Sequence, residues 1–212
     1  MENQEIRTFG RRHGKKLSAR KQFLLDAVLP TILPKKLENT GNLILEIGFG
    51  NGEHLRELAL RNPESIIVGA EPFMNGVAAL LSAITNESTN QIMDEYKNIR
   101  IWPDDVRKFF TDSNLRFNEI WVLHPDPWPK ARHEKRRLLN ADFLTLLGKR
   151  LTTHGQIIIG TDHWEYFDWI TQQAKQTALY ASFPPLSVIH TRYAEKNMAD
   201  TDAPKYMILT NQ

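Results

Sequence analysis

At 212 residues, with 41% hydrophobic residues, the chain suits one domain with a sizeable core plus a short extension, and no apolar run approaches membrane-spanning length. The absence of cysteine excludes disulfides, thiolate metal sites and cysteine nucleophiles. Twenty-seven Lys and Arg against 25 Asp and Glu leave a net charge of +2, a small total that hides strong segregation. The first segment, residues 1–16, reads as a basic arm without the apolar core of a signal peptide, so the expectation is a cytoplasmic protein. From Arg7 to Lys21 there are seven basic residues, His13 and no acid. Such a block suits phosphate backbones, because neutralising phosphates releases condensed counterions.

A single domain would occupy 17–212, opening on a helix over 18–29 that Ser18 caps. Next comes LILEIGFGNG at 43–52, a short apolar strand that ends in Gly48, Gly50 and Gly52 before a helix starts at Glu53. A strand, a glycine turn and a helix bring backbone against a nucleotide-like ligand. Glu53 stands at the third glycine position of the dinucleotide fingerprint, and Glu46 and Glu53 flank the turn, which disfavours a pyrophosphate. A ligand with cationic groups, such as S-adenosylmethionine with its sulfonium and α-ammonium, is favoured.

Further strands are expected at 65–70, 99–102, 117–123 and 155–160. Helices are expected from about 75, over 141–151 and over 164–177, followed by strands at 186–190 and 206–210. Alternation at this spacing predicts an α/β sandwich with a largely parallel sheet, whose ligands bind beyond the carboxyl ends of the strands. Acids stand at those ends: Glu71, Asp104, Asp126 and Asp162. Glu71 lies about twenty residues past the turn, where an acid holds ribose hydroxyls. Asp105 follows Asp104, so either could contact the ligand while the other caps a helix.

The loop after the fourth strand carries Pro125, Pro127 and Pro129, which pre-set its backbone and end regular structure. Asp126 offers an acceptor pair, Trp128 a flat face for a base, and Lys130 with the basic run through Arg137 reaches phosphates. His124, His133 and His163 show no metal-ligand spacing, so no metal is expected.

The loop HPDPWPKARHEKRR, together with LEIGFGNG, VGAEPF, GTDH and TRYAEK, resembles the bacterial tRNA (guanine-N7)-methyltransferases, the TrmB family. The similarity runs from FGRRHGKKL to the C-terminus. It implies a class I S-adenosylmethionine (SAM)-dependent methyltransferase fold of Rossmann-like type, α/β, with a mostly parallel seven-stranded sheet flanked by helices. The implied reaction methylates N7 of the guanine numbered 46 in the tRNA variable loop. By position, Glu46, Glu71, Asp104 and Asp126 match the family's cofactor-site acids, beside Gly48 and Gly50 of the turn, and Asp126 is also its catalytic position. Lys130 and Asp162 match substrate-binding positions, as do Thr191, Arg192 and Tyr193. The last motif departs at Ala194, where the family has Glu, and Glu195 stands one place late. The implied partner is tRNA, with no membrane and no obligatory protein partner. The alternative is a SAM-dependent methyltransferase of a small molecule or protein, which the glycine turn and acids fit equally; the two basic clusters favour RNA. A non-catalytic RNA-binding module is a further rival, and a dehydrogenase the weakest.

Overall fold

The computed structural model describes residues 8–10, 12–35, 37–39, 41–183 and 204–211. Its strands are β1 (Leu43–Ile47), β2 (Ile66–Ala70), β3 (Ile99–Trp102), β4 (Phe117–Leu123), β5 (Leu151–Thr161), β6 (Leu179–Ser182) and β7 (Lys205–Asn211). They form one seven-stranded sheet in the order β3-β2-β1-β4-β5-β7-β6. The first five strands pair in parallel, and β7 runs antiparallel to both β5 and β6. Every residue of β1 is buried, as expected of a strand covered on both faces.

The helices are α1 (Ala19–Phe23), α2 (Glu53–Arg61), α3 (Met74–Ile84), α4 (Val106–Asp112), α5 (Ala141–Gly148) and α6 (Trp164–Ala174). Side-chain caps set several starts: Ser18 accepts from Lys21 N–H, Asp105 from Arg107, Asn140 from Phe143 and His163 from Tyr166. The helix expected over 18–29 changes from α to π geometry at Leu24 and to 3₁₀ at Leu29, where Pro30 cannot donate. The helix expected to reach 151 stops at Gly148, and β5 already begins at Leu151. Helix α4 and edge strand β6 are additions to the elements expected from the sequence, and the strand expected at 186–190 lies outside the described residues.

Two apolar clusters sandwich the sheet. One joins Ile44, Ile67, Ile99 and Ile101 to Leu55, Leu58, Val77, Leu80 and Leu81 of α2 and α3. The other joins Leu43, Leu45, Ile47, Ile120 and Ile157 to residues of α4, α5 and α6, including Phe109, Leu144 and Tyr166. The chain moves outward from β1 to β2 and β3 on one side and resumes at β4 on the other. The topological switch point therefore lies between the carboxyl ends of β1 and β4, where open α/β sheets bind ligands. Among the described residues, no helix is long and apolar enough to cross a membrane.

Candidate active site

The turn after β1 is held open by its own backbone. Gly48 N–H donates to the Ala70 carbonyl, Gly50 N–H to Glu71 Oε2, and Gly52 N–H to the Phe49 carbonyl, each at 2.8 Å. Gly48, Gly50 and Gly52 all have positive φ, which only glycine adopts without strain. The space that side chains would fill beside Gly48 and Gly50 is empty to 4 Å, leaving a cradle of bare backbone. Gly52 is different: a Cβ there would come within 2.6 Å of Leu80 Cδ1. Gly76, in the first turn of α3, packs so tightly that a Cβ would overlap the Gly50 carbonyl oxygen.

Five strand ends deliver the acids. Glu46, on β1, is 3% exposed and faces His54 of α2, itself 2% exposed. Glu46 Oε2 lies 3.3 Å from His54 Nδ1, yet neither atom has a partner in hydrogen-bond geometry. The His54 ring packs on Trp121 of β4, with centroids 4.8 Å apart. Glu71 accepts from Gly50 and from Phe73 N–H, both at 2.8 Å, and so ties the glycine turn to the start of α3. Burial pushes the Glu71 carboxyl up. The Phe73 and Gly50 N–H bonds pull it back, and the neighbouring Glu46 and Asp126 carboxylates add to the rise. Glu71 is thus the acid that feels both the Glu46 and the Asp126 charges.

Asp104 and Asp105 divide their work. Asp105 caps α4, accepts from Thr8 Oγ1 at 2.8 Å and from the Arg107 guanidinium, and lines the cavity at the switch point. Asp104 pairs with Arg12 (3.0 Å) and Lys108 (2.8 Å). Burial opposes ionisation of Asp104, but Lys108, the Asp105 N–H and Arg12 hold its carboxyl below the usual range.

The loop after β4 is strained. His124 and Trp128 have φ of 47° and 42°, left-handed values that cost a non-glycine residue about 1–3 kcal/mol each. His124 N–H donates to the Gly160 carbonyl at 2.7 Å, and its Nδ1 lies 3.6 Å from Asp162 Oδ1. Burial pulls the His124 pKa down, and Asp162 opposes the shift. Asp126 is exposed at the tip between two prolines. Lys130 then leads into a 3₁₀ helix at Ala131–Arg136, and the side chains of Lys130, Arg132 and Lys135 are exposed. The guanidinium of Arg136 lies over the Trp128 ring at 5.0 Å and the Phe9 ring at 5.7 Å, so a cation already occupies one Trp128 face. Arg137, the last of the basic run, is buried rather than presented to solvent.

These parts enclose a cavity of about 890 Å³. Of the residues singled out from the sequence, Gly48, Gly50, Glu71 and Asp126 line it, with Trp128, Arg136 and Arg137. Glu46, Asp104, Lys130 and Asp162 do not: Glu46 lies behind the turn, and Asp104 is turned toward Arg12. Thr191, Arg192 and Tyr193 lie outside the described residues. The arm contributes Thr8, Phe9 and Gly10 to the cavity wall. It is fastened to α3, where Gly14 N–H donates to Asn75 Oδ1, Asn75 Nδ2 to the Lys15 carbonyl, and Met74 N–H to the Arg12 carbonyl.

Residues 40–202 match a family model described as "Putative methyltransferase". A tRNA (guanine-N(7)-)-methyltransferase of Caulobacter vibrioides (strain NA1000 / CB15N) is 34% identical over 224 residues, covering 97% of this chain and 95% of that one. Its counterpart from Wolbachia pipientis wMel is 37% identical over 172 residues, covering 78% and 74%. The chain belongs to the tRNA (guanine-N(7)-)-methyltransferase family. The fold of this family member is that of class I SAM-dependent methyltransferases. An rRNA methylase from Streptococcus thermophilus superposes with a TM-score of 0.52 at 13% identity, covering 92% of this chain and 99% of the other. Human methyltransferase-like protein 13 in complex with SAH superposes at 0.52 and 14% identity, covering 91% and 76%.

The residues fit the methyl donor of the family. The open cradle at Gly48 and Gly50 admits a ligand against bare backbone. Glu71 keeps acceptor capacity for ribose hydroxyls, and the buried Glu46 Oε2 has no hydrogen-bond donor. Crowded carboxylates favour a cation over a phosphate. Among the described residues, no cluster of His, Cys, Asp and Glu could hold a metal ion. Sequence reasoning missed Gly76, His54 and the inward turn of Arg137. A glycine inside a helical pattern, at a cost of about 1 kcal/mol against alanine, was the available signal for Gly76. His54 and Arg137 gave no local signal.

Proposed function

We propose that this protein transfers the methyl group of S-adenosylmethionine to N7 of guanine 46 in the tRNA variable loop. The observation that carries the reading is the meeting, on one cavity at the switch point, of the glycine turn with Glu71 and the Asp126 loop with its basic 3₁₀ helix. Family membership supports the substrate.

When bound, S-adenosylmethionine supplies an electrophilic methyl carbon on a sulfonium. Guanine N7 carries a lone pair and no proton, so no residue need act as its base. What the chain must do is align the reacting atoms and tolerate the positive charge that moves onto the purine. Glu71 orients the donor through its ribose, and Glu46 supplies negative charge behind the turn. Asp126 accepts from the guanine edge and stabilises the cationic base, an electrostatic and orienting role. Asp104 supports the donor site from beneath the arm. Lys130 and Asp162 hold the nucleotide, joined by Thr191, Arg192 and Tyr193. The basic arm at 1–16 and the exposed cations of 130–136 hold tRNA phosphates against the domain at 17–212. The reading is of a cytoplasmic enzyme that needs no protein partner.

The test is methyl transfer from labelled S-adenosylmethionine to unmodified tRNA, with the product nucleoside identified by digestion and mass spectrometry. We expect 7-methylguanosine, lost when the target guanine is changed to adenine. Binding of the donor with no 7-methylguanosine formed would overturn the tRNA reading.

A further inference from the structure

Five basic residues lie between 130 and 137, and they do not form one surface. Lys130, Arg132 and Lys135 are exposed, whereas Arg137 is 8% exposed. The Arg137 Nε donates to the Pro127 carbonyl at 2.9 Å, and Nη2 approaches the Trp128 carbonyl at 3.5 Å. Its Nη1 donates to Glu134 Oε1 at 3.0 Å, which satisfies the charge within the same segment. The flat guanidinium lies over the rings of Trp169 (4.9 Å) and Tyr166 (5.5 Å) on α6. One planar cation therefore clamps the Asp126 loop to the core.

The loop needs such a clamp. Pro125, Pro127 and Pro129 have no N–H to tie it down, and His124 and Trp128 are held in the left-handed region. A strained backbone persists only where its surroundings over-determine it. Among the described residues, the hydrogen bonds made to the Pro127 and Trp128 carbonyls come from Arg137. Asp126 immediately precedes the gripped carbonyl. The Tyr166 phenol beneath feels both the Asp126 and the Arg137 charges.

We propose that Arg137 is a positioning residue that holds Asp126 for the reaction and is not an RNA contact. This rests on the function proposed above. A guanidinium makes several in-plane hydrogen bonds while stacking on aromatic rings, and an ammonium cannot do both. Arg137→Lys keeps the charge and loses the clamp.

The experiment compares R137K with Lys135→Ala on tRNA. For R137K we expect kcat to fall on the order of a hundredfold, the scale on which small misplacements act. Its KM for tRNA, donor affinity and salt dependence should stay within about twofold of the unaltered protein, well inside one tenfold step of affinity. K135A should do the reverse, weakening tRNA binding and making the salt dependence shallower by about one. Hydrogen exchange at the His124 and His133 amides, which flank the loop and donate to the Gly160 and Lys130 carbonyls, should accelerate in R137K at least about tenfold as the local opening energy falls. That readout tests the clamp even if the unaltered protein methylates no tRNA. Unchanged exchange, unchanged kcat, or a loss confined to KM with a shallower salt slope would each overturn the proposal. Should R137K not fold, Arg137→Gln keeps a planar donor and is read the same way. Failure of both to fold would assign Arg137 to the core alone and overturn it as well.

Discussion

Gly76 and Gly50 meet backbone to backbone: the first turn of α3 rests on the carbonyl of the glycine turn with no room for a methyl group between them. Alanine at 76 would gain about 1 kcal/mol of helix propensity. It would also have to move the Gly50 carbonyl or the helix, an overpacking that costs about 1–3 kcal/mol. Gly76→Ala should therefore lower the melting temperature and weaken donor binding at least about tenfold, or about 1.4 kcal/mol. Calorimetric titration with S-adenosylmethionine checks this, and affinity equal to the unaltered protein would remove Gly76 from the support of the cradle.

Asp126 sits at the tip of a strained loop on the cavity wall, where negative charge faces the base as it becomes cationic. Asp126→Asn keeps the size and loses the charge. Turnover should fall by about 10²–10³, the usual cost of removing one preorganised electrostatic group. Donor affinity should change little, because the cradle is built from the other strand ends. Single-turnover methylation with a parallel binding titration separates the two, and near-normal turnover would sink the role given to Asp126.

The basic arm is not uniformly available to RNA. Lys15 and Lys16 are exposed, whereas Arg12 already pairs with Asp104 at 3.0 Å. Removing a cation that neutralises one phosphate should make the logarithmic salt dependence of tRNA binding shallower by about one. Lys15→Ala should thus change the slope more than Arg12→Ala does. Filter binding across a salt series reads both, and equal slopes for the two variants would contradict the division.

Acid should weaken the fold partly through His124. Burial depresses its folded pKa, with Asp162 opposing, so between the folded and unfolded values the unfolded chain binds more protons. Its contribution is complete above the unfolded value of about 6.5 and is lost as pH falls from there through the folded pKa. His124→Asn tolerates the left-handed backbone and removes the titration. In urea unfolding at pH 8 and pH 5, the variant should lose less stability than the unaltered protein. An equal loss would clear His124.

The turn at Gly48, Gly50 and Gly52 and the parallel strands around it are legible because each is a local pattern, an apolar run closed by glycine or by an acid-proline pair. Helix α4 escapes because it spans only Val106–Asp112, too short for a periodic signal, and its cap hides in an acid pair. Strand β6 escapes because Leu179–Ser182 is a short edge strand with Tyr180 exposed. The fate of Arg137 cannot be read from a run of cations. What turns it inward is a pair of aromatic rings on α6, brought near only by the fold. Asp104 and Asp105 are equivalent in sequence, since Thr8 and Arg12, from the far end of the chain, decide which acid faces where.

The sandwich has two fillings, and each supports a different half of the chemistry. The glycine turn leans on Phe49, Leu55 and Leu80 on one side of the sheet, while the clamp on the Asp126 loop leans on Tyr166 and Trp169 on the other. Damage beneath the first side starves the protein of its donor. Damage beneath the second leaves the donor seated with nothing aligned to receive its methyl. Heat-sensitive alleles should accordingly sort into two groups, and a second-site suppressor should arise on the same side of the sheet as the lesion it repairs.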